Sequence, residues 1–206
     1  MFVPLTNYKI MKKITLVTAI MIASVVSTIA QSTNWVIDNV HSKIQFNIDH
    51  MVISEVSGYF HTYEGTIVSS KDDFSDASIE FSIDVNSIDT DNENRDGDLK
   101  SDNFFDAAKY PKITFKSSSM KKIADGKYKL TGDITMHGVT KQVILDVTYG
   151  GTVNDPWGNT KAGFKLTGDL NRKDFGLTYG ATLEAGGLVV GEEVRLVCRI
   201  ELIKQK

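Results

Sequence analysis

Apolar side chains recur at every second position through most of this chain, and that period of two constrains the fold more than any other feature. "KIQFNID" (43–49) sets Ile44, Phe46 and Ile48 on one face and Lys43, Gln45, Asn47 and Asp49 on the other. "SIEFSIDV" (78–85) repeats the arrangement with Ile79, Phe81, Ile83 and Val85, and "KITFK" (112–116) with Ile113 and Phe115. "YKLTGDITM" (128–136) aligns Tyr128, Leu130, Ile134 and Met136, and "VILDVTY" (143–149) aligns Val143, Leu145, Val147 and Tyr149. "GFKLTGDL" (163–170) gives Phe164, Leu166 and Leu170, and "EVRLVCRIEL" (193–202) gives Val194, Leu196, Cys198, Ile200 and Leu202. Such alternation describes antiparallel strands with one face in a core and one in water.

The connections fit the same reading. Asp125-Gly126 and His137-Gly138 each separate two alternating runs, as tight hairpin turns do. Further breaks are expected at Gly150-Gly151, at "NDPWGN" (154–159) and at Gly186-Gly187. "YFHTYEGTIV" (59–68) reads as one bent strand, with Gly58 and Gly65 allowing the bend. About eight strands result. Eight strands with one apolar face each can close into a barrel or stack as a sandwich. An eight-stranded barrel is wide enough to be filled by side chains or to hold one small ligand. Periodicity leaves that choice open.

One stretch escapes the alternation. Residues 91–108 are rich in Asp and Asn yet contain Phe104 and Phe105 side by side. "TDNE" (90–93) has the form of a capping box with Thr90 as N-cap. Ser101 and Asp102 offer a second helix start, and Pro111 turns the chain extended at Tyr110. One or two short helical turns in a long crossover are expected, weakened at Gly97 by roughly 1 kcal/mol. Neighbouring phenylalanines on a helix are about 100° apart. Both can be covered only if the segment lies on a large apolar surface, such as the mouth of a barrel.

Residues 1–30 differ from the rest. Lys9, Lys12 and Lys13 precede a charge-free apolar run, "ITLVTAIMIASVVSTIA" (14–30), that ends in small residues. This is the pattern of a secretory signal, with cleavage expected after Ala30 and Met11 offering a second start. A membrane anchor is the alternative, although the run is near the short limit for a span. Residues 31–206 would then form a single domain. They keep 20 of the 23 basic side chains and all 26 acidic ones, for a net charge of −6. With no basic patch, nucleic acid is not expected as a partner. The lone Cys198 allows no internal disulfide, so stability must come from packing.

Catalytic patterns are missing. There is no nucleophile elbow, phosphate-binding loop or dinucleotide fingerprint. The four histidines, His41, His50, His61 and His137, have no metal-site spacing, and no zinc or other cofactor is expected. His137 reads as a turn residue, and His41 and His50 remain a pair that could converge in space. The acids Asp84, Asp89, Asp91, Glu93, Asp96 and Asp98 read as a solvated surface, since their spacing matches no calcium loop. "GDLNRKDFGL" (168–177) is the densest polar motif. Arg172 and Lys173 beside Asp174 there read as a strand-end turn with a local ion pair, or Arg172 meets an anionic head group at the barrel rim, for which a guanidinium is suited.

Four runs carry a resemblance. "WVIDNVHSKIQFNIDHM" (35–51), the stretch 81–115, "GDITMHGVTKQVILDV" (132–147) and "GDLNRKDFGL" (168–177) are similar, in order, to the YceI-like family of periplasmic or secreted proteins. The resemblance spans nearly all of residues 35–202. It implies an all-β fold, an eight-stranded antiparallel lipocalin-like barrel with the short helical crossover near residues 91–108. It also implies a polyisoprenoid or another long-chain amphiphilic lipid in the lumen, held for storage or transport, with no catalytic residues to carry over. It admits transient contact with a membrane. On that basis Phe46, Ile48, Phe81, Ile83, Phe115, Leu130, Leu145, Phe164 and Leu166 are expected to line the lumen. Phe104 and Phe105 are expected to plug it, and Arg172 to meet the head group. An enzyme acting on an apolar substrate and a filled structural sandwich remain the alternatives.

Overall fold

The computed structural model describes residues 31–182 and 186–205. The expected signal and its cleavage site lie outside them. Eleven strands form one antiparallel sheet that closes on itself. The chain order is β1 (Thr33–Ile37), β2 (Lys43–His50), β3 (Ser54–Phe60), β4 (Tyr63–Ser69), β5 (Ser78–Asp84) and the two-residue β6 (Ile88–Asp89). After helix α1 (Glu93–Lys100) come β7 (Lys112–Ala124), β8 (Lys127–Met136), β9 (Val139–Asn154), β10 (Thr160–Asn171) and β11 (Val190–Lys204).

Eleven strands make an eight-stranded ring because two staves are kinked. β1 and β2 are successive halves of one stave and β3 and β4 of the next. β11 shows this directly. Its C-terminal end pairs with β1 through Ile37 and Leu202, and its N-terminal part pairs with β2 through Ile48 and Val194. β2 then pairs with β3, and β1 with β4. The ring is therefore an up-and-down meander whose last strand closes on its first. A closed ring has no free edges, which removes the sandwich alternative. β6 is a short addition on β3.

Several local readings need correction. The bend of the second stave falls at His61–Thr62, between β3 and β4, and not at its glycines. Gly58 and Gly65 serve a different purpose. They face the paired residues Phe46 and Phe81 across the ladder. A Cβ on Gly58 would overlap the Phe46 ring, and one on Gly65 would come within 2.9 Å of Phe81. The glycines let both rings lie flat on the inner wall. Gly150-Gly151 is not a break either. β9 runs through it with a register shift opposite Gly163, and a bulge of this kind increases local twist. β1 was not singled out by its periodicity, because only five residues precede the kink.

The crossover contains one helix. Its N-cap is Asn92, whose side chain accepts from the Arg95 amide, and not Thr90. Thr90 instead gives its amide and hydroxyl to the Asp96 carboxylate and takes a bond from Arg95 Nε. Glu93 and Asp96 in the first turn and Lys100 in the last suit the helix dipole. Ser101 is the C-cap of α1 and begins no second helix. Phe104 and Phe105 therefore sit in consecutive turns, held by bonds from Phe105 N to Leu99 O and from Ala107 N to Lys100 O.

Candidate functional site

The inward faces of the strands enclose a cavity of about 580 Å³, within the 300–1,000 Å³ typical of small-molecule sites. Its wall is overwhelmingly apolar. Every strand but the two-residue β6 contributes, which is why the period of two in the sequence translates directly into a lining. Phe46, Ile48, Phe81, Ile83, Phe115, Leu130, Leu145, Phe164 and Leu166 all border it, as do Phe104, Phe105 and Arg172. The structure thus brings together, in one space, the side chains expected to line the lumen, to plug it and to meet a head group. What fills that space is a separate question.

The two ends of the cavity are built differently. At the base, the β4–β5 loop turns Phe74 inward with a left-handed backbone (φ 58). Its ring is 2% exposed and meets Trp35, Tyr149 and Phe164 at centroid distances of 5.1, 5.6 and 5.0 Å. Asp76 shapes this loop. Its carboxylate accepts from Ser69 Oγ at 2.6 Å, from the Ser70 amide at 3.0 Å and from the Ser70 hydroxyl. Burial works against the charge on Asp76, but these bonds hold its carboxyl well below the usual range. Tyr128 Oη anchors the same loop by donating to Asp73 O at 2.6 Å. Sequence reasoning missed Phe74, since it lies in the polar run "SSKDDFSD". The available signal was the one used for Phe104, an isolated aromatic among turn residues.

At the opposite end the crossover lies over the opening between β3 and β7. Phe104 is 8% exposed and packs at a tilt against Tyr179, with ring centroids 4.6 Å apart. Phe105 is half-buried and meets Phe60 edge-on at 6.3 Å. The polar lining gathers here, with Asp49 and His50 from β2 and Asn94, Arg95 and Asp98 from α1. Tyr179, the half-exposed lid partner, and these α1 residues were also missed, because nothing in sequence places them at the cavity.

Arg172 corrects the expectation of an exposed rim cation. It is 3% exposed. Nε donates to Gly191 O at 2.7 Å, an Nη to Leu177 O at 2.5 Å and the other Nη to Val190 O at 3.2 Å. The guanidinium therefore fastens the end of β10 to the start of β11 and to the loop between them. The local ion pair is also different from the expected one, since Lys173 pairs with Glu192 at 2.5 Å while Asp174 takes no part. Burial pushes the Arg172 pKa down.

Two other groups bear on chemistry. Cys198 lies in the wall, where burial pushes its thiol up to about 11. It is a neutral, small apolar group there. Among the described residues one cluster has metal-ligand spacing, Asp38, His41 and Glu201. Lys161 Nζ already occupies it, 2.9 Å from Asp38 Oδ2 and 2.7 Å from Glu201 Oε1. His41 and His50 do not converge. They flank the two ends of β2, roughly 25 Å apart at about 3.3 Å per residue. The crossover acids also stay apart, Asp84 capping the 3-10 turn Val85–Ser87 and Asp96 bonding Thr90.

Comparison with known proteins agrees with this geometry. The model of the YceI-like domain matches residues 35–202. A UPF0312 protein of Vibrio parahaemolyticus is 36% identical over 80% of this chain and 88% of its own length. A UPF0312 protein of Staphylococcus aureus is 34% identical over 82% and 96%. The crystal structure of the Campylobacter jejuni YCEI protein has a TM-score of 0.66 at 34% identity, covering 77% of this chain and 91% of that one. A polyisoprenoid binding domain from Saccharophagus degradans, implicated in plant cell wall breakdown, has a TM-score of 0.61 over 83% of this chain and 98% of its own. At 16% identity that likeness concerns the fold.

Proposed function

The chain belongs to the YceI-like family, and on that premise we propose that its lumen holds a polyisoprenoid or similar long amphiphile, for storage or transport. The observation that carries this reading is the apolar cavity of about 580 Å³ running down the barrel axis. A solid core would fill such a space, because protein interiors pack without voids larger than a water molecule. An unbranched or branched hydrocarbon tail matches the lining in chemistry. The polar groups at the Phe104 end match an amphiphile's head. The fold shared with the Saccharophagus degradans polyisoprenoid binding domain supports the same ligand class.

We read the protein as a carrier and not a catalyst. The thiol of Cys198 stands in the wall as a neutral group, and Arg172 is committed to backbone carbonyls. The same reading has the chain exported to the periplasm or beyond. Its support is the basic start and charge-free run of residues 9–30. An intact mass beginning at Gln31 is the expected result for the exported protein, and a mass that retains residues 14–30 would favour an anchor instead.

The function is tested by purifying the protein from its own host and analysing an organic extract by mass spectrometry. A stoichiometric long-chain lipid is expected. Repeated recovery of protein with no extractable lipid, and no uptake of added polyprenol, would sink the proposal.

A further inference from the structure

The tip of the β2–β3 hairpin departs from the rest of the surface. It reads Met51-Val52-Ile53, three apolar residues in succession, with Val52 71% and Ile53 87% exposed. Hairpin tips in water favour Asn, Asp and Gly, which accept left-handed backbone at little cost. Here Met51 (φ 53) and Val52 (φ 63) adopt that backbone instead, which is a marked outlier for a β-branched side chain. The conformation is held in place. Met51 N donates to Val189 O at 2.9 Å and Ile53 N to His50 O at 3.3 Å. Val52 packs over Gly187, which has a φ of 99° and no Cβ to obstruct it. The tip is thus a fixed apolar projection.

Its position matters more than its composition. His50 and Val189, which flank the Met51 bond, both line the cavity. The projection therefore stands at the rim of the lumen, on the Phe104 side. The acids at its base are not free. Asp49 and Glu55, one on each strand, are both taken by Arg195, the first at 2.7 Å. With a net charge of −6 over residues 31–206, this pairing weakens the repulsion an acidic rim would feel from an anionic surface.

We propose that Met51, Val52 and Ile53 insert into the face of a lipid bilayer and seat the mouth of the barrel on it. This rests on the lipid-binding reading and adds to it the partner surface and the residues that engage it. A bilayer suits the feature better than a second protein. Three side chains fall far short of the roughly 800 Å² per partner that a stable protein interface buries. A bilayer needs no shape complementarity and takes up apolar side chains at its headgroup boundary. Seating the mouth there also spares a long tail from crossing water.

The test places an environment-sensitive dye on Ile53→Cys, in the whole chain carrying Cys198→Ala. A control dye goes on Trp157→Cys, in the β9–β10 loop at the opposite end. Vesicles of phosphatidylcholine, with and without phosphatidylglycerol, are then added. The dye at position 53 is expected to shift to the blue and the dye at 157 to stay unchanged. The double change Val52→Ser with Ile53→Ser should slow transfer of a fluorescent polyprenol to vesicles about tenfold or more, since it removes the apolar contact. Equilibrium retention of the probe without vesicles should stay the same. No shift at 53, equal shifts at both positions, or a shift that follows protein concentration without vesicles would overturn the proposal. A wild-type chain that retains no polyprenol would count against the lipid-binding reading alone, because the dye at 53 reports on the membrane independently.

Discussion

At the base of the barrel one ring, Phe74, is sealed among Trp35, Tyr149 and Phe164, and its loop is bound by Asp76 and Tyr128. At the mouth two rings, Phe104 and Phe105, rest on Tyr179 and Phe60, with Tyr179 itself 42% exposed. Both ends are closed by phenylalanine from a polar connection between strands. The base closes inside the core, whereas the mouth closes under a polar helix with no fully buried residue of its own. The two closures suit different roles. A ring packed on all sides resists opening. A ring covered on one side by a short segment of low burial can lift away, because local opening is easiest where few apolar contacts hold an element down.

The sharpest way to break this contrast is Phe74→Ala. It should cost about 3–5 kcal/mol, as removal of a buried phenylalanine does, and be read as a large fall in the urea midpoint. If the loss were small, the base would be no more of a seal than the mouth. The next effect belongs to Phe104→Ser with Phe105→Ser. The barrel should stay folded, at a smaller cost per ring than Phe74→Ala, while a bound fluorescent lipid should leave about tenfold faster, since related complexes differ mostly in off-rate. A lower melting temperature with unchanged release would make the pair plain core residues.

These closures also show what the sequence could reveal and what it could not. The lining was legible because each strand obeys one period, so naming one inward residue names the rest. Phe104 and Phe105 were legible as a cover because two adjacent rings in a polar stretch demand a surface. Their placement in turns and not on a helix is invisible in composition, since it rests on bonds from the Phe105 and Ala107 amides to the Leu99 and Lys100 carbonyls. Phe74 escaped because a single ring in a polar loop has no period. Arg172 was read as a rim residue because its three acceptors are backbone carbonyls at positions 177, 190 and 191. Carbonyls are present in every sequence and mark none. The first kink is held beside Asp38, which Lys161 ties to Glu201, three residues that lie far apart along the chain.

A smaller effect separates the ends by pH. Asp76 at the base and Asp38 at the first kink are both held well below the usual carboxylate range. Burial opposes the charge in each case and is outweighed by hydrogen bonds, from Ser69 and Ser70 to Asp76 and from Lys161 and His41 to Asp38. Their folded pKa lies below the unfolded value near about 4. The stability they contribute is therefore full above that pH and is lost as the pH falls through the folded value. Melting temperature should decline below about pH 4, and Asp76→Asn should flatten part of that decline. An acid limb of unchanged slope in Asp76→Asn would show that the carboxylate does not hold the Phe74 loop.

On the proposed function, affinity arises from a tail enclosed by the lumen, and titration with a series of polyprenols of increasing length reads that enclosure. Each enclosed methylene contributes about 0.8 kcal/mol, so each five-carbon unit contributes roughly 3–4 kcal/mol and should tighten binding by on the order of several hundredfold until the cavity is full. Removing two units should weaken binding more than Arg172→Ala, whose guanidinium holds backbone rather than standing at an open rim. A hydrogen bond to a charged group contributes about 1.5–3 kcal/mol at most. Affinity that climbs with length and then levels off, in both the wild type and Arg172→Ala, is the predicted result. Affinity that is flat with length and collapses in Arg172→Ala would contradict the account and make the site a head-group receptor.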